Sequence, residues 1–300
     1  MTHEPEAAPW FIEHLREYTE SDSGPEMEQL GRSMRLLRFA VFAQTEYPYA
    51  TTFPNDMAAG ACMAQAFEQL EAATVMLSYG FYGVVRNILR SVYESAGLGR
   101  TLAKEVAMAE KWLRKNQWWP DSVVRQWLED NRVVSVEKVQ LYRNYYREAS
   151  AWTHPTATSC MGQFTPTDTA LVLTPGTIFD AERSRLMTAE ITSTAVFVCF
   201  ALRNSVVDEE AIDPGWRRDL YELAREQSGE ALPHLDRDWT TEQETYDTVM
   251  SRLQDVSVLE EVLNNHPHSW RNLKKNAVPD TSATRWWPRF CRSWRRRGRA

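Results

Sequence analysis

From Ser135 to Pro155 the chain reads SVEKVQLYRNYYREASAWTHP, without a glycine or an internal proline. Val136, Val139, Tyr142, Tyr146, Ala149 and Thr153 recur there at steps of three and four, the period of an amphipathic helix. Ser135 is a good N-cap, and Pro155 disfavours helix at the residue before it, so His154 falls on the last turn. A run of this kind commits the chain to helical packing, and most of the remaining sequence has the same character.

Helices are predicted over 9–19, 25–45, 55–79, 84–102, 105–117, 121–131, 181–207, 214–228 and 240–264, with the loop EYPYATTFPND between the second and third. Asn55, Asp121, Asp213 and Thr240 are the expected N-caps, the last with Gln243 in a T-x-x-Q pattern. Gly80 and Gly83 mark a corner, and Gly229 a stop. FTPTDTALVLTPGTIFD interrupts the helices with β-prone residues and predicts a hairpin-like insertion near 160–180. The expected fold is mainly α, a multi-helix up-and-down bundle. N-terminal helices (1–50) pack on a core (51–207), followed by C-terminal helices (208–265) and a basic tail (266–300).

Charge divides the chain unevenly. Residues 266–300 hold ten Lys and Arg against Asp280 alone, a net of +9, so the preceding residues carry about −16 of the overall −7. The longest apolar run, Ala195 to Leu202, is far short of the ~20 residues that span a bilayer. The N-terminus lacks the regions of a signal peptide, and a soluble, cytoplasmic protein is expected. Cys62, Cys160, Cys199 and Cys291 have no metal-ligand spacing and read as reduced, buried thiols.

Several chemistries have no motif here. GLGRTL at Gly97 lacks a third glycine and follows a helix, and there is no GxSxG, HExxH, ExxH or CxxC. His266 and His268 flank a proline without near partners, so neither metal nor cofactor is expected. Metal-independent acid–base chemistry remains. Arg147 and His154 lie seven residues apart, on one helix face and roughly 10 Å apart along the axis. A guanidinium can hold a phosphate, an imidazole can move a proton, and flanking rings can stack bases. Taken alone, the same pair also suits a solvated helix face. Arg90 and Glu94, four apart on the preceding apolar helix, can pair and lock the bundle.

LSYGFYGVVRNILRSVYESAG, followed some 50 residues later by YRNYYREASAWTHP, resembles a set of bacterial helical proteins related to HEPN domains. The shared features fall on Leu89, Arg90, Ser91 and Glu94, then on Ser150, His154 and Pro155. Arg147, Glu148 and His154 match the HEPN signature at its longest spacing, and the resemblance covers about residues 55–205. It implies a HEPN-like bundle that dimerises, with two Arg/His faces forming one metal-independent ribonuclease site. It also implies relatives in toxin–antitoxin or phage-defence systems, and hence an antitoxin or defence-system partner protein. Some HEPN toxins carry a Tyr two residues after the His, where this chain has Thr156.

The resulting expectation is an endoribonuclease with Arg147 and His154 as catalytic residues. Glu148, Tyr142, Tyr146, Arg90 and Glu94 would support them. In the tail, Arg292, Arg295, Arg296 and Arg297 among Trp and Phe side chains suit RNA phosphates and bases, or a membrane surface. The alternative is a non-catalytic helical adaptor, or a module that binds a nucleotide or a protein.

Overall fold

Helix ends show most directly how the local sequence sets the architecture. In the computed structural model, residues 9–21, 24–46, 53–131, 136–153, 160, 164–166, 168–173, 179–203, 205, 212–229 and 238–253 are described. They form α1 (Pro9–Glu20), α2 (Gly24–Glu46), α3 (Pro54–Ser78), α4 (Tyr82–Lys104), α5 (Val106–Lys115), α6 (Asp121–Asp130) and α7 (Val136–Thr153). An antiparallel strand pair follows, β1 (Phe164–Pro166) with β2 (Leu171–Leu173), in the register Phe164 to Leu173. Then come α8 (Ala181–Arg203), α9 (Pro214–Ser228) and α10 (Trp239–Leu253). The described protein is mainly α-helical.

Some termini follow the local code. The Asp213 carboxylate accepts from the Trp216 N–H at 3.1 Å, Pro214 opens α9, and Gly229 closes it at φ 69°. Others do not. Asn55 is not the cap of α3: Pro54 starts the helix one residue earlier, because its missing N–H needs no partner there. The Asn55 amide instead donates to Ala103 O at 3.1 Å, tying the start of α3 to the end of α4. Asp121 is not a cap either; Pro120 takes that place and the Asp121 carboxylate pairs with Arg125 at 2.9 Å. Asp238 displaces Thr240 as the cap of α10, since its carboxylate accepts from the Thr240 and Thr241 N–H groups at 3.1 and 3.3 Å. The predicted end of that helix at Asn264 lies outside the described residues. Only Gly80, at φ 78°, makes the corner between α3 and α4, whereas Gly83 sits in the first turn of α4.

That corner folds α3 and α4 into an antiparallel pair. Asn55 meets Ala103 and Gln69 meets Ser91, so the two residue numbers run in opposite directions. Small residues bring the helices close: a Cβ added at Gly99 would lie 3.0 Å from Cys62 Cβ and from Met63 Cε. α8 runs parallel to α4, since Arg86 meets Glu190 and Tyr93 meets Phe197 at the same offset. α2 and α9 complete one apolar cluster through Leu30, Leu37, Val41, Trp216, Leu220 and Leu223. The Trp216 indole N–H donates to Leu36 O at 2.9 Å, which satisfies a polar atom inside that cluster.

α8 is the one described helix long and apolar enough to cross a membrane by length and composition, and more than half of it is buried. Its buried Thr188, Thr192 and Thr194 hydroxyls donate to carbonyls one turn back at 2.7–2.8 Å. Cys62 and Cys199 are buried, and burial pushes the Cys62 thiol up to about 12 and raises that of Cys199 as well. Cys160 is exposed, against the expectation of a buried thiol, because it stands outside the apolar helical runs that bury the other two.

Candidate functional site

Arg86, Arg90, Tyr93 and Glu94 follow one another on α4 at helical spacing, so they form a polar stripe on an otherwise apolar helix. α7 lies on that stripe. Its adjacent Tyr145 and Tyr146 point about 100° apart and so reach two different groups of partners.

Tyr145 faces the α8 side. Its ring lies 4.1 Å from that of Tyr93, which in turn stacks on Phe197 at 4.5 Å. Burial pushes the Tyr145 phenol up to about 12 and raises Tyr93 further. Beside them Arg86 grips Glu190 through two bonds, of 3.0 and 3.3 Å, fastening α4 to α8.

Tyr146 faces the α6 side. Arg90 Nη2 donates to its hydroxyl at 2.8 Å, and the hydroxyl donates to Glu94 Oε1 at 2.8 Å. Arg90 and Glu94 also pair directly at 3.3 Å. Arg125 of α6 sits 4.8 Å from the Tyr146 ring centre and Arg90 sits 5.0 Å from it, within cation–π range. Burial first, and the hydrogen bond to Glu94 second, raise the phenol pKa, so Tyr146 stays a proton donor near neutral pH. Each cation in this cluster has its own carboxylate, Arg90 with Glu94 and Arg125 with Asp121. A neutralised cluster of this kind holds helices in register and leaves no spare charge for a ligand. Arg143 adds a second strut from α7 to Glu129 of α6 at 2.5 Å.

The outer face of α7 is different. Arg147 and Glu148 are both exposed, and Arg147 Nη2 donates to Asn144 Oδ1 at 3.4 Å, within its own turn. Among the described residues Arg147 makes no bond to Arg90, Glu94 or Tyr146, although all four are expected to serve one site. His154, the Tyr142 side chain and Arg292, Arg295, Arg296 and Arg297 lie outside the described residues. Of the residues shared with the resembling helical proteins, Leu89 is fully buried and Ser91 accepts from Gln69 at 2.8 Å. The Ser150 hydroxyl is buried and has no hydrogen-bond partner among the described residues.

The sequence points to Asp121 only as a helix cap and to Tyr145 only as a ring flanking Arg147 and His154, and it does not single out Arg125, Tyr93 or Glu190. The signal that points to them is the polar stripe on α4, whose Arg86, Arg90 and Glu94 are separated by four and four residues. A stripe of that length needs a polar partner helix, and the Tyr-Tyr pair of α7 supplies it. Among the described residues no group of His, Cys, Asp and Glu is arranged to hold a metal ion. The chain matches no family model, no curated protein and no solved structure.

Proposed function

We propose that this protein is a metal-independent endoribonuclease of the HEPN type, acting as a homodimer in a toxin–antitoxin or phage-defence setting. The observation that supports it is the division of α7 into two faces. Its back is held by Tyr145, Tyr146 and Arg143, while Arg147 is turned outward with no carboxylate partner among the described residues. An exposed, permanently charged guanidinium on a well-anchored helix suits a phosphodiester.

In this reading Arg147 holds the scissile phosphate and offsets its developing charge. His154 takes the proton of the 2′-OH as that oxygen attacks phosphorus. The bond to the 5′ oxygen breaks, and that oxygen is protonated by the same histidine of a second copy. Glu148 or a tyrosine orients the imidazole, and the tail arginines, Arg292 and Arg295 to Arg297, gather RNA toward the site. Partners are RNA, a second copy of the chain, and an antitoxin or defence-system protein.

The test is RNA integrity in cells expressing wild type, Arg147→Ala or His154→Ala, with the purified proteins assayed in EDTA. Cleavage by the wild type alone, unaffected by chelator, is the expected result. Cleavage that needs added metal, or that survives both substitutions, ends this reading. Mixed dimers of wild type and His154→Ala should be strongly impaired.

A second reading is favoured by the neutralised cluster around Tyr146. Arg90 and Glu94 are paired with each other and bonded to Tyr146, as in a bundle built to be rigid. A non-catalytic adaptor that binds a protein, a nucleotide or a membrane surface needs no more than that. Toxicity with intact RNA would select it.

A further inference from the structure

α5 has two faces of opposite use. Met108 and Ala109 are buried, and Trp112 and Leu113 pack with them against Ala58, Cys62 and Leu102. The other face carries Lys111, Arg114 and Lys115, all exposed, at the three- and four-residue steps that align side chains on a helix. Asn116 ends the helix in the left-handed conformation at φ 49°. The chain then presents two tryptophans in succession. Trp119 joins the apolar cluster, while Trp118 is 77 % exposed, more than any other large apolar side chain described. Trp118 lies three positions after Lys115, so their Cα atoms lie within roughly 10 Å.

Cations in a last helical turn offset the helix dipole, and that alone accounts for Arg114 and Lys115. It does not account for an indole left in water beside one that is packed. Nor are these cations matched locally. Lys111, Arg114 and Lys115 pair with no carboxylate among the described residues. The nearest acids along the sequence, Glu110 and Asp121, are half-buried, and Asp121 is bound to Arg125. On a body with a net charge near −16 before residue 266, this is a local positive spot with a flat ring at its edge.

We infer that Lys111, Arg114, Lys115 and Trp118 form a docking surface for single-stranded RNA. The three cations contact successive phosphates and the Trp118 indole stacks on an unpaired base. Charge complementarity selects a polyanion. The single free ring selects a strand whose bases are open, because bases in a duplex cannot reach it. A lipid surface fits less well: the apolar face of α5 is already buried in the protein, and the exposed face offers one ring for insertion. The surface requires binding and no cleavage, so it stands apart from the ribonuclease reading.

The experiment uses the full chain and a fluorescein-labelled 2′-O-methyl 12-mer of mixed sequence, which cannot be cleaved through a 2′-OH, read by anisotropy at several salt concentrations. Trp118→Ala should raise the Kd about tenfold, with Trp118→Phe restoring most of the loss. Replacing Lys111, Arg114 and Lys115 together by Gln should weaken binding further and reduce the salt slope by about 2. The 2′-O-methyl strand is read by binding alone, so a failed ribonuclease leaves this result intact. The exposure of Trp118 makes Trp118→Ala safe for folding, and it decides the matter alone if the triple variant does not fold. Absence of binding by the wild type, or an unchanged Kd in Trp118→Ala, would overturn the inference. So would equal affinity for the corresponding duplex, or substitutions that release the protein from phosphatidylserine vesicles while leaving RNA binding untouched.

Discussion

α4 makes two contacts of opposite kind. Against α3 it is mainly dry and close, with Gly99 set on Cys62 and Met63 and with Leu70, Leu77, Val85, Leu89 and Val92 fully buried, apart from the Gln69–Ser91 and Asn55–Ala103 bonds. Against α7 it is polar: Arg90, Tyr146 and Glu94 exchange hydrogen bonds, and Tyr93 meets Tyr145 ring to ring. The first contact contributes stability through buried area and close packing. The second contributes less free energy but allows one register, because Arg90 Nη2, the Tyr146 hydroxyl and Glu94 Oε1 must line up for both 2.8 Å bonds to form. The dry seam holds the protein together, and the polar seam decides which face of α7 looks outward.

The largest effect expected from breaking this comparison lies in the dry seam. Leu89→Ala should cost about 3 kcal/mol, from lost transfer energy and the cavity left behind, and should lower the urea midpoint of the whole protein. A loss below about 1 kcal/mol would mean that α4 is not central.

The polar end of the same seam gives a pH-dependent effect of somewhat smaller size. Asp56, in the first turn of α3, is pushed up to about 6 by burial, with Lys104 partly opposing the shift. Between the ordinary aspartate value near 4 and about 6 the folded state binds more proton than the unfolded one. Stability is therefore gained on acidification through that window and lost as the pH rises through it. Asp56→Asn should stabilise the protein by about 1–2 kcal/mol at pH 7.5 and by nothing measurable at pH 4. Equal effects at both pH values would rule out a raised carboxyl.

Next comes the polar seam itself. Tyr146→Phe keeps the ring between Arg90 and Arg125 and removes only the hydroxyl. It should cost about 1 kcal/mol, since the cluster is partly open to water. Hydrogen exchange should show faster opening of α7 with α3 and α4 unchanged. Faster exchange throughout would place α7 in the same cooperative unit as the core.

The smallest stability effect is expected at Arg147. Arg147→Ala should cost no more than ~0.5 kcal/mol of stability, because the side chain is exposed and, among the described residues, bonded only to Asn144. On the proposed function the same variant loses RNA cleavage. A large stability loss at Arg147 would make it a structural residue and remove the contrast between the two faces of α7.

Helices were legible in the chain because apolar period and breaker residues act locally: α4, α7, α8 and α9 lie close to where periodicity, Pro155, Asp213 and Gly229 place them. The i to i+4 spacing of Arg90 and Glu94 was legible for the same reason. Caps were less so wherever two adjacent residues compete, as Pro54 does with Asn55 and Asp238 with Thr240. The partners of Arg90 and Glu94 could not be read at all. Tyr146 is 52 residues from Glu94, and Asp121 and Arg125 come from a third helix. Only the packing of α6 and α7 onto α4 brings them within hydrogen-bonding or ring distance, and no local rule of spacing carries that information. Tyr145 and Tyr146 are alike in sequence, yet one packs against the Tyr93 ring and the other binds a salt bridge. The rotation of α7 about its own axis separates them, and that rotation is set by where the polar stripe of α4 offers donors and acceptors.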